Sequence, residues 1–286
     1  MRSIISALIL IPALAVGLLS VTTARAQGTG ECIRTLECGA VNWSTGQVKG
    51  YGKASPPGRE ETVSQDSVVG EARAQATRNL ICVLKTIGMV SEQILKKNPA
   101  SRDFLQAGIE KAAMDAVITE QHFTSDCAME VTLETSIFGG FLQLVLPEEI
   151  GEISHIETIT SSDMTDKETS QGRVLHTGLV LDARGLDFQP GIYPVIISEL
   201  GDAVYSAVFI SREYAVHQGV CKYVCSMDPI LSEDRVGLNP MVIKALRKGG
   251  KDDTAIVISR SDAETIEKAT EFHSLMRECK VMILLD

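Results

Sequence analysis

QDSVVGEARAQATRNLICVLKTIG, residues 65–88, is the stretch on which the fold turns. Val69, Ala72, Ala76, Leu80, Val83, Leu84 and Ile87 recur at intervals of three, four and seven, which places them on one face of a 3.6-residue repeat. Arg73, Gln75, Arg78 and Lys85 fall to the sides or opposite. Ala72 and Ala76 are small enough to let the helix backbone approach its partner closely. Gly88 stands where a left-handed C-terminal cap is needed, so the helix is predicted to end there.

The partner of that helix is legible downstream of it. Upstream, VKGYGKAS (48–55) reads as an extended segment. Downstream, SRDFLQAGIEKAAMDA (101–116) is a second helix and VITEQHFTSDCAMEVTLET (117–135) a hairpin. Cys127, Met129, Val131 and Leu133 alternate with polar residues, the period of a strand with one wet face, so all four are expected to point inward. Thr124-Ser125-Asp126 supplies the turn, and residues 117–123 the antiparallel partner. A helix on an antiparallel hairpin makes this half an α+β domain.

The first 26 residues read as a secretory signal. Arg2 is the positive start, residues 4–21 the apolar run, and Ala24-Arg25-Ala26 an A-x-A site that predicts cleavage before Gln27. Cys32 comes too late after the apolar run to accept a lipid. The expectation is an exported periplasmic protein with no membrane span after cleavage. Loss of Arg2 and Arg25 leaves 25 basic residues against 37 acidic ones, a formal charge of −12. That balance argues against nucleic acid and anionic lipid surfaces, both of which require a basic footprint.

Seven cysteines lie beyond the signal segment, at 32, 38, 82, 127, 221, 225 and 279. Oxidising surroundings permit at most three disulfides among them. Cys221 and Cys225 are too far apart to bond locally, either as a strand of about 13 Å or across one helical turn. Cys82 points off the apolar stripe of its helix, so a bond to the inward Cys127 has no support. Cys32 and Cys38 bracket ECIRTLEC and are the pair expected to close a small loop.

PEEIGEISHIETITSSDMTDKETSQG (147–172) is polar, acidic and rich in Ser and Thr, and reads as a linker between domains at 27–146 and 173–286. The second domain opens with VLHTGLVLDARG (174–185). IYPVIIS and AVYSAVFIS flank Glu199-Leu200-Gly201-Asp202, a hairpin signal. MVIKAL and TAIVIS bracket Gly249-Gly250, and Ser261 with Glu264 predicts a capping box opening a helix through about Met276. CKVMILLD (279–286) is apolar on both faces, as a buried parallel strand is. Strand, helix and strand in such close succession predict a right-handed parallel crossover from TAIVIS to CKVMILLD. This half is expected to be mixed α/β.

Chemistry is sparsely marked. Asp182 ends LVLD, a usual position for a catalytic acid, but a metal-binding histidine does not follow it. The five histidines, 122, 155, 176, 217 and 273, are scattered without ligand spacing. There is no G-x-S-x-G, no Walker loop and no G-x-G-x-x-G. Cys221 and Cys225 have C-x-x-x-C spacing where redox chemistry wants C-x-x-C. No cofactor and no metal is expected.

GYGKA (50–54), EARAQATRNL (71–80) and DCAMEVTLE (126–134) together resemble a bacterial envelope family. It comprises small outer-membrane lipoproteins and the N-terminal domain of flagellar assembly protein T. The shared pattern is a glycine-containing strand, a helix of the A-R-x-x-A-x-x-N-L type and a paired-strand end, over about a third of the chain. The resemblance implies an α+β module engaged in protein–protein contacts, with envelope or flagellar basal-body proteins as partners. It brings no catalytic residues, and this chain departs from the lipoprotein members in lacking their lipid-bearing cysteine. Arg73, Arg78, Glu130, Thr132 and Glu134 are then the expected partner surface. Two functional classes follow: an exported interaction protein, or an exported hydrolase or thiol protein using Asp182 or Cys221 and Cys225.

Overall fold

A computed structural model describes residues 30–56, 65–89, 99–146, 175–227, 234–250, 254–268 and 270–286. The expected signal segment, the expected linker and His155 lie outside them. The first part contains β1 (Ile33–Leu36), β2 (Gly39–Asn42), β3 (Gln47–Ala54), α1 (Gln65–Met89), α2 (Pro99–Met114), β4 (Val117–Phe123), β5 (Met129–Ser136) and α3 (Gly140–Val145). Its five strands form one antiparallel sheet in the order β1-β2-β3-β5-β4.

The helix-on-strand contact follows from residue size. A Cβ added at Gly52 would stand 2.0 Å from the Ala72 carbonyl oxygen, and one at Gly50 2.7 Å from that of Ala76. Two glycines on β3 and two alanines on α1 therefore bring backbone against backbone. Ala72, Ala76, Leu80, Val83, Leu84 and Ile87 are buried as their period predicts, with Val68 deeper than Val69. β2 pairs only with residues 47–50 of β3, which leaves the later residues of β3 open on that side. Helix α1 satisfies them: Asn79 Nδ2 donates to the Tyr51 carbonyl (2.6 Å), and the Lys53 N–H donates to Gln75 Oε1 (2.7 Å).

Two local expectations are corrected here. Helix α1 runs through Gly88 to Met89 instead of ending at a Gly88 cap. Cys127 precedes β5, is exposed, and takes a positive φ of 61° inside the turn, where the Cys127 N–H donates to the Thr124 carbonyl. The strand alternation therefore begins at Met129, because the turn needs one residue more than Thr124-Ser125-Asp126 supplies.

The second part contains β6 (Leu179–Asp182), β7 (Val195–Ser198), β8 (Ala203–Tyr205), α4 (Arg212–Gln218), β9 (Lys222–Val224), β10 (Met241–Lys244), β11 (Arg247–Gly249), β12 (Ala255–Ile258), α5 (Arg260–Lys268), α6 (Thr270–Arg277) and β13 (Val281–Leu284). One sheet, β10-β6-β13-β9, is parallel throughout, and a mixed sheet has the order β11-β12-β7-β8. The chain is thus α+β in its first part and mixed α/β in its second, ending on the fully buried parallel strand β13. β7 and β8 form the expected hairpin.

The crossover is not what the succession of elements predicts. β12 pairs with β7 and β11, whereas β13 pairs with β6 and β9, so the two strands belong to different sheets. Both are buried at all four positions, and each is a central strand of its own sheet. Only Ala245 and Leu246 separate β10 in one sheet from β11 in the other. α5 and α6 stand where the sequence predicts a helix before β13. Its cap is Ser259, which accepts the Asp262 N–H (3.0 Å) and donates to the Asp262 carboxylate (2.7 Å), and Ser261 lies inside α5.

A disulfide joins the two parts. Cys32 bonds to Cys225 across 193 residues, with Cα atoms 5.3 Å apart, and Cys38 is a free thiol. The expected Cys32–Cys38 loop is therefore corrected. β1 runs extended between them, and four strand residues alone span about 13 Å, well past the roughly 7 Å Cα limit. The bond does not stand alone. Ser44 Oγ donates to the Tyr223 carbonyl (2.7 Å), the Trp43 and Tyr223 rings meet edge to face at 5.9 Å, and the Gly139 N–H donates to the Val216 carbonyl (2.8 Å). Arg212 donates to the carbonyls of Leu146 (3.0 Å) and Gln143, closing the C-terminal end of α3.

Candidate interaction surface

In an antiparallel sheet directly opposed residues share a face. Gly50 faces Leu133 and Gly52 faces Val131, so these four lie on the side covered by α1. Lys49 opposite Glu134, Tyr51 opposite Thr132, and Lys53 opposite Glu130 form the other side. β4 extends it through Glu120 beside Thr132 and His122 beside Glu130. Val117 also sits on this side, opposite Glu134.

This outer face is a ladder of opposite charges. Lys49 Nζ lies 3.5 Å from Glu134, and Lys53 Nζ 2.9 Å from Glu130 and 4.0 Å from Asp126. His122 Nε2 stands 3.4 Å from the second Glu130 oxygen. The Lys53 hydrogen bond holds the Glu130 carboxyl below the usual range, and the same bond with the Asp126 charge raises the Lys53 ammonium. Hydrogen bonding from Thr124 lowers Asp126. Tyr51 stands among these charges at 44% exposure.

β4 is exposed at every position and forms the last strand of its sheet, with β5 on one side only. Val117 is 68% exposed and Phe123 49%. An edge strand with free backbone groups and apolar side chains is suited to strand addition.

The expected partner residues do not form one patch. Glu130 and Glu134 lie on the outer sheet face, whereas Arg73 and Arg78 are exposed on α1, which covers the opposite face. Arg78 is paired with Glu71 at 2.9 Å. Thr132 is only 7% exposed and points its hydroxyl at Glu120 (3.4 Å), so it supports the ladder from within. Lys49, Tyr51, Lys53 and His122 belong to the face and were not singled out by sequence. Strand register, unavailable from one strand alone, would have found them.

The residues marked for chemistry are occupied. Asp182 accepts two hydrogen bonds from the Arg184 guanidinium (2.8 and 2.7 Å) and stays below the usual carboxylate range because of them. Beyond the end of β13, Asp286 accepts the Gly185 N–H with both oxygens (3.0 and 2.8 Å). Cys225 is spent in the disulfide. Burial pushes the Cys221 thiol up to about 12, which leaves it protonated. Burial likewise pushes Cys279 up to about 11. Next to these thiols Tyr205 is fully buried and donates to the Val220 carbonyl (2.6 Å).

No curated protein matches the chain. Residues 178–286, which contain every strand from β6 to β13, match the family model described as Treponema pallidum Tp0624, second domain.

Proposed function

We propose that this chain is an exported, non-enzymatic protein of the bacterial envelope that works through contacts with other proteins. Its binding surface is the outer face of the N-terminal sheet together with the edge of β4. Its setting is a flagellar or other outer-membrane-associated assembly. The observation that carries the reading is the charged ladder Lys49–Glu134 and Lys53–Glu130 running toward an edge strand exposed at all its positions. Export is supported by the A-x-A pattern before Gln27 and by a disulfide that spans 193 residues, a bond typical of oxidising compartments. The resemblance of residues 48–135 to flagellar and lipoprotein envelope modules points the same way.

The alternative, an exported hydrolase or thiol protein, has less to draw on. It needs Asp182 free and Cys221 and Cys225 reactive, and these residues are held by Arg184, by burial and by Cys32.

Crosslinking and pull-down from envelope fractions tests the reading. Lys53→Glu places like charge beside Glu130 and Asp126 and is expected to weaken capture about tenfold, the scale of one lost interfacial charge pair. Arg73→Glu on the far side of the domain is expected to leave capture unchanged. Equal capture by Lys53→Glu and the unaltered chain would move the surface elsewhere. Recovery of no ring or outer-membrane component would remove the flagellar version.

A further inference from the structure

Five thiols are unbonded among the described residues, and two of them meet. Cys38 lies in the turn between β1 and β2, half-buried against the core, and Cys82 is exposed on α1. The two side chains are neighbours, close enough for Cys82 to raise the Cys38 thiol. The next residues along each segment fix the approach: a Cβ at Gly39 would stand 2.9 Å from Val83 Cγ2. Gly39 in turn pairs with Gly50, whose own Cβ would reach the Leu80 side chain at 2.7 Å. The hairpin end and the second half of α1 are thus held together by packing that does not depend on either sulfur.

We propose that Cys38 and Cys82 form a second disulfide, which ties the β1–β2 hairpin to helix α1. Cys82, being exposed, is the sulfur that an incoming disulfide meets first. Its thiolate attacks a small-molecule or protein disulfide, RSSR, giving a Cys82–SR mixed disulfide and releasing RS⁻. Cys38 then loses its proton to solvent and attacks the Cys82 sulfur, expelling the second RS⁻. The two protein thiols lose two electrons, and RSSR is reduced to two thiols. Desolvation raises the half-buried Cys38 thiol, which lowers the thiolate available for closure at neutral pH.

The consequence is mechanical. Cys32 already anchors one end of the hairpin to the second domain through Cys225. A bond at Cys38 anchors the other end to α1, so an unbroken covalent path runs from the long helix through β1 to β9. Occurrence of this bond in the cell rests on the export proposed above, but its formation from the folded chain does not.

The test uses the full chain, reduced and then equilibrated with oxidised glutathione, followed by alkylation and non-reducing peptide mapping. The expected products are linked peptides for Cys32–Cys225 and for Cys38–Cys82, with Cys127 in neither. Oxidation is expected to raise the melting temperature of the unaltered chain above that of equally oxidised Cys82→Ser by roughly 5–10 °C. Complete formation of Cys32–Cys225 with Cys38 and Cys82 both alkylated would overturn the proposal, as would persistent glutathione on Cys82 without ring closure. Alkylation of whole cells separates the two readings. Both bonds formed by glutathione but absent from cells would refute export and leave this inference standing.

Discussion

Asp182 shows how a strand-end acid can look catalytic in sequence and be structural in the fold. The carboxylate is about one-fifth exposed, and Arg184, two residues on, reaches back across the turn with two parallel hydrogen bonds. The turn is also held by the Arg184 N–H, which donates to the same acid at 3.2 Å. Arg184 is half in water, so screening keeps the pair weak. The sign of its pH dependence follows from the depressed carboxyl. An acid whose folded pKa lies below its unfolded value of about 3.9 contributes fully above that value and loses the contribution as pH falls through the folded one. Arg184→Ala is therefore expected to destabilise the chain slightly at pH 7. The difference should fade as pH falls below the unfolded value of about 3.9 in urea titrations. A constant difference across that range would assign the loss to turn geometry instead of charge.

At the level of elements, the contact between α1 and β3 is the best-determined feature of the chain. Gly52→Ala puts a methyl group 2.0 Å from one backbone atom of α1 and 2.5 Å from another, so the helix as a whole has to shift. A cost of about 2–4 kcal/mol is expected, comparable to severe overpacking. Gly70→Ala lies on the same helix with no atom within 4 Å, and is expected to stabilise by about 0.5–1 kcal/mol through helix propensity. Denaturant midpoints of the two variants should move in opposite directions. The helix side of this interlock was legible in sequence, because helical period and residue size act locally and mark Ala72 and Ala76, whereas the glycines of β3 that meet them could not be placed without the pairing of strands. The role of Asn79 as a cap for β3 was not, since it depends on β2 ending early. Likewise, β12 and β13 each carry the apolar run of a central strand, and nothing local says that they are central to different sheets. That the expected partner residues divide between two faces was hidden for a related reason. Arg73 and Glu130 are both polar and exposed in pattern, but only the pairing of β3 with β5 reveals that a helix and a sheet stand between them.

On the scale of the whole molecule, the question is whether the two parts unfold as one. Their seam holds one disulfide, the Ser44–Tyr223 and Gly139–Val216 hydrogen bonds, and the Arg212 bonds to the end of α3. Phe138 packs beside Gly46 in the first part and Gly219 in the second, since a Cβ at either glycine would meet its ring at 2.6 Å. Each part has its own sheets, but the buried apolar core runs without a break from one part into the other, with Trp43 on Tyr223 among its contacts. The disulfide closes a loop across 193 residues, and bonds of that kind contribute about 2–4 kcal/mol by restricting the unfolded state. Replacing both Cys32 and Cys225 with Ser removes that restriction without leaving a thiol to mispair. The double variant is expected to fold, because the remaining seam contacts and the shared apolar core are intact. Its calorimetric trace should lose roughly 5–15 °C and broaden into two transitions, while the oxidised chain melts in one. A single transition at the original temperature would mean that the Phe138 and Arg212 contacts alone couple the parts, with the disulfide redundant to them.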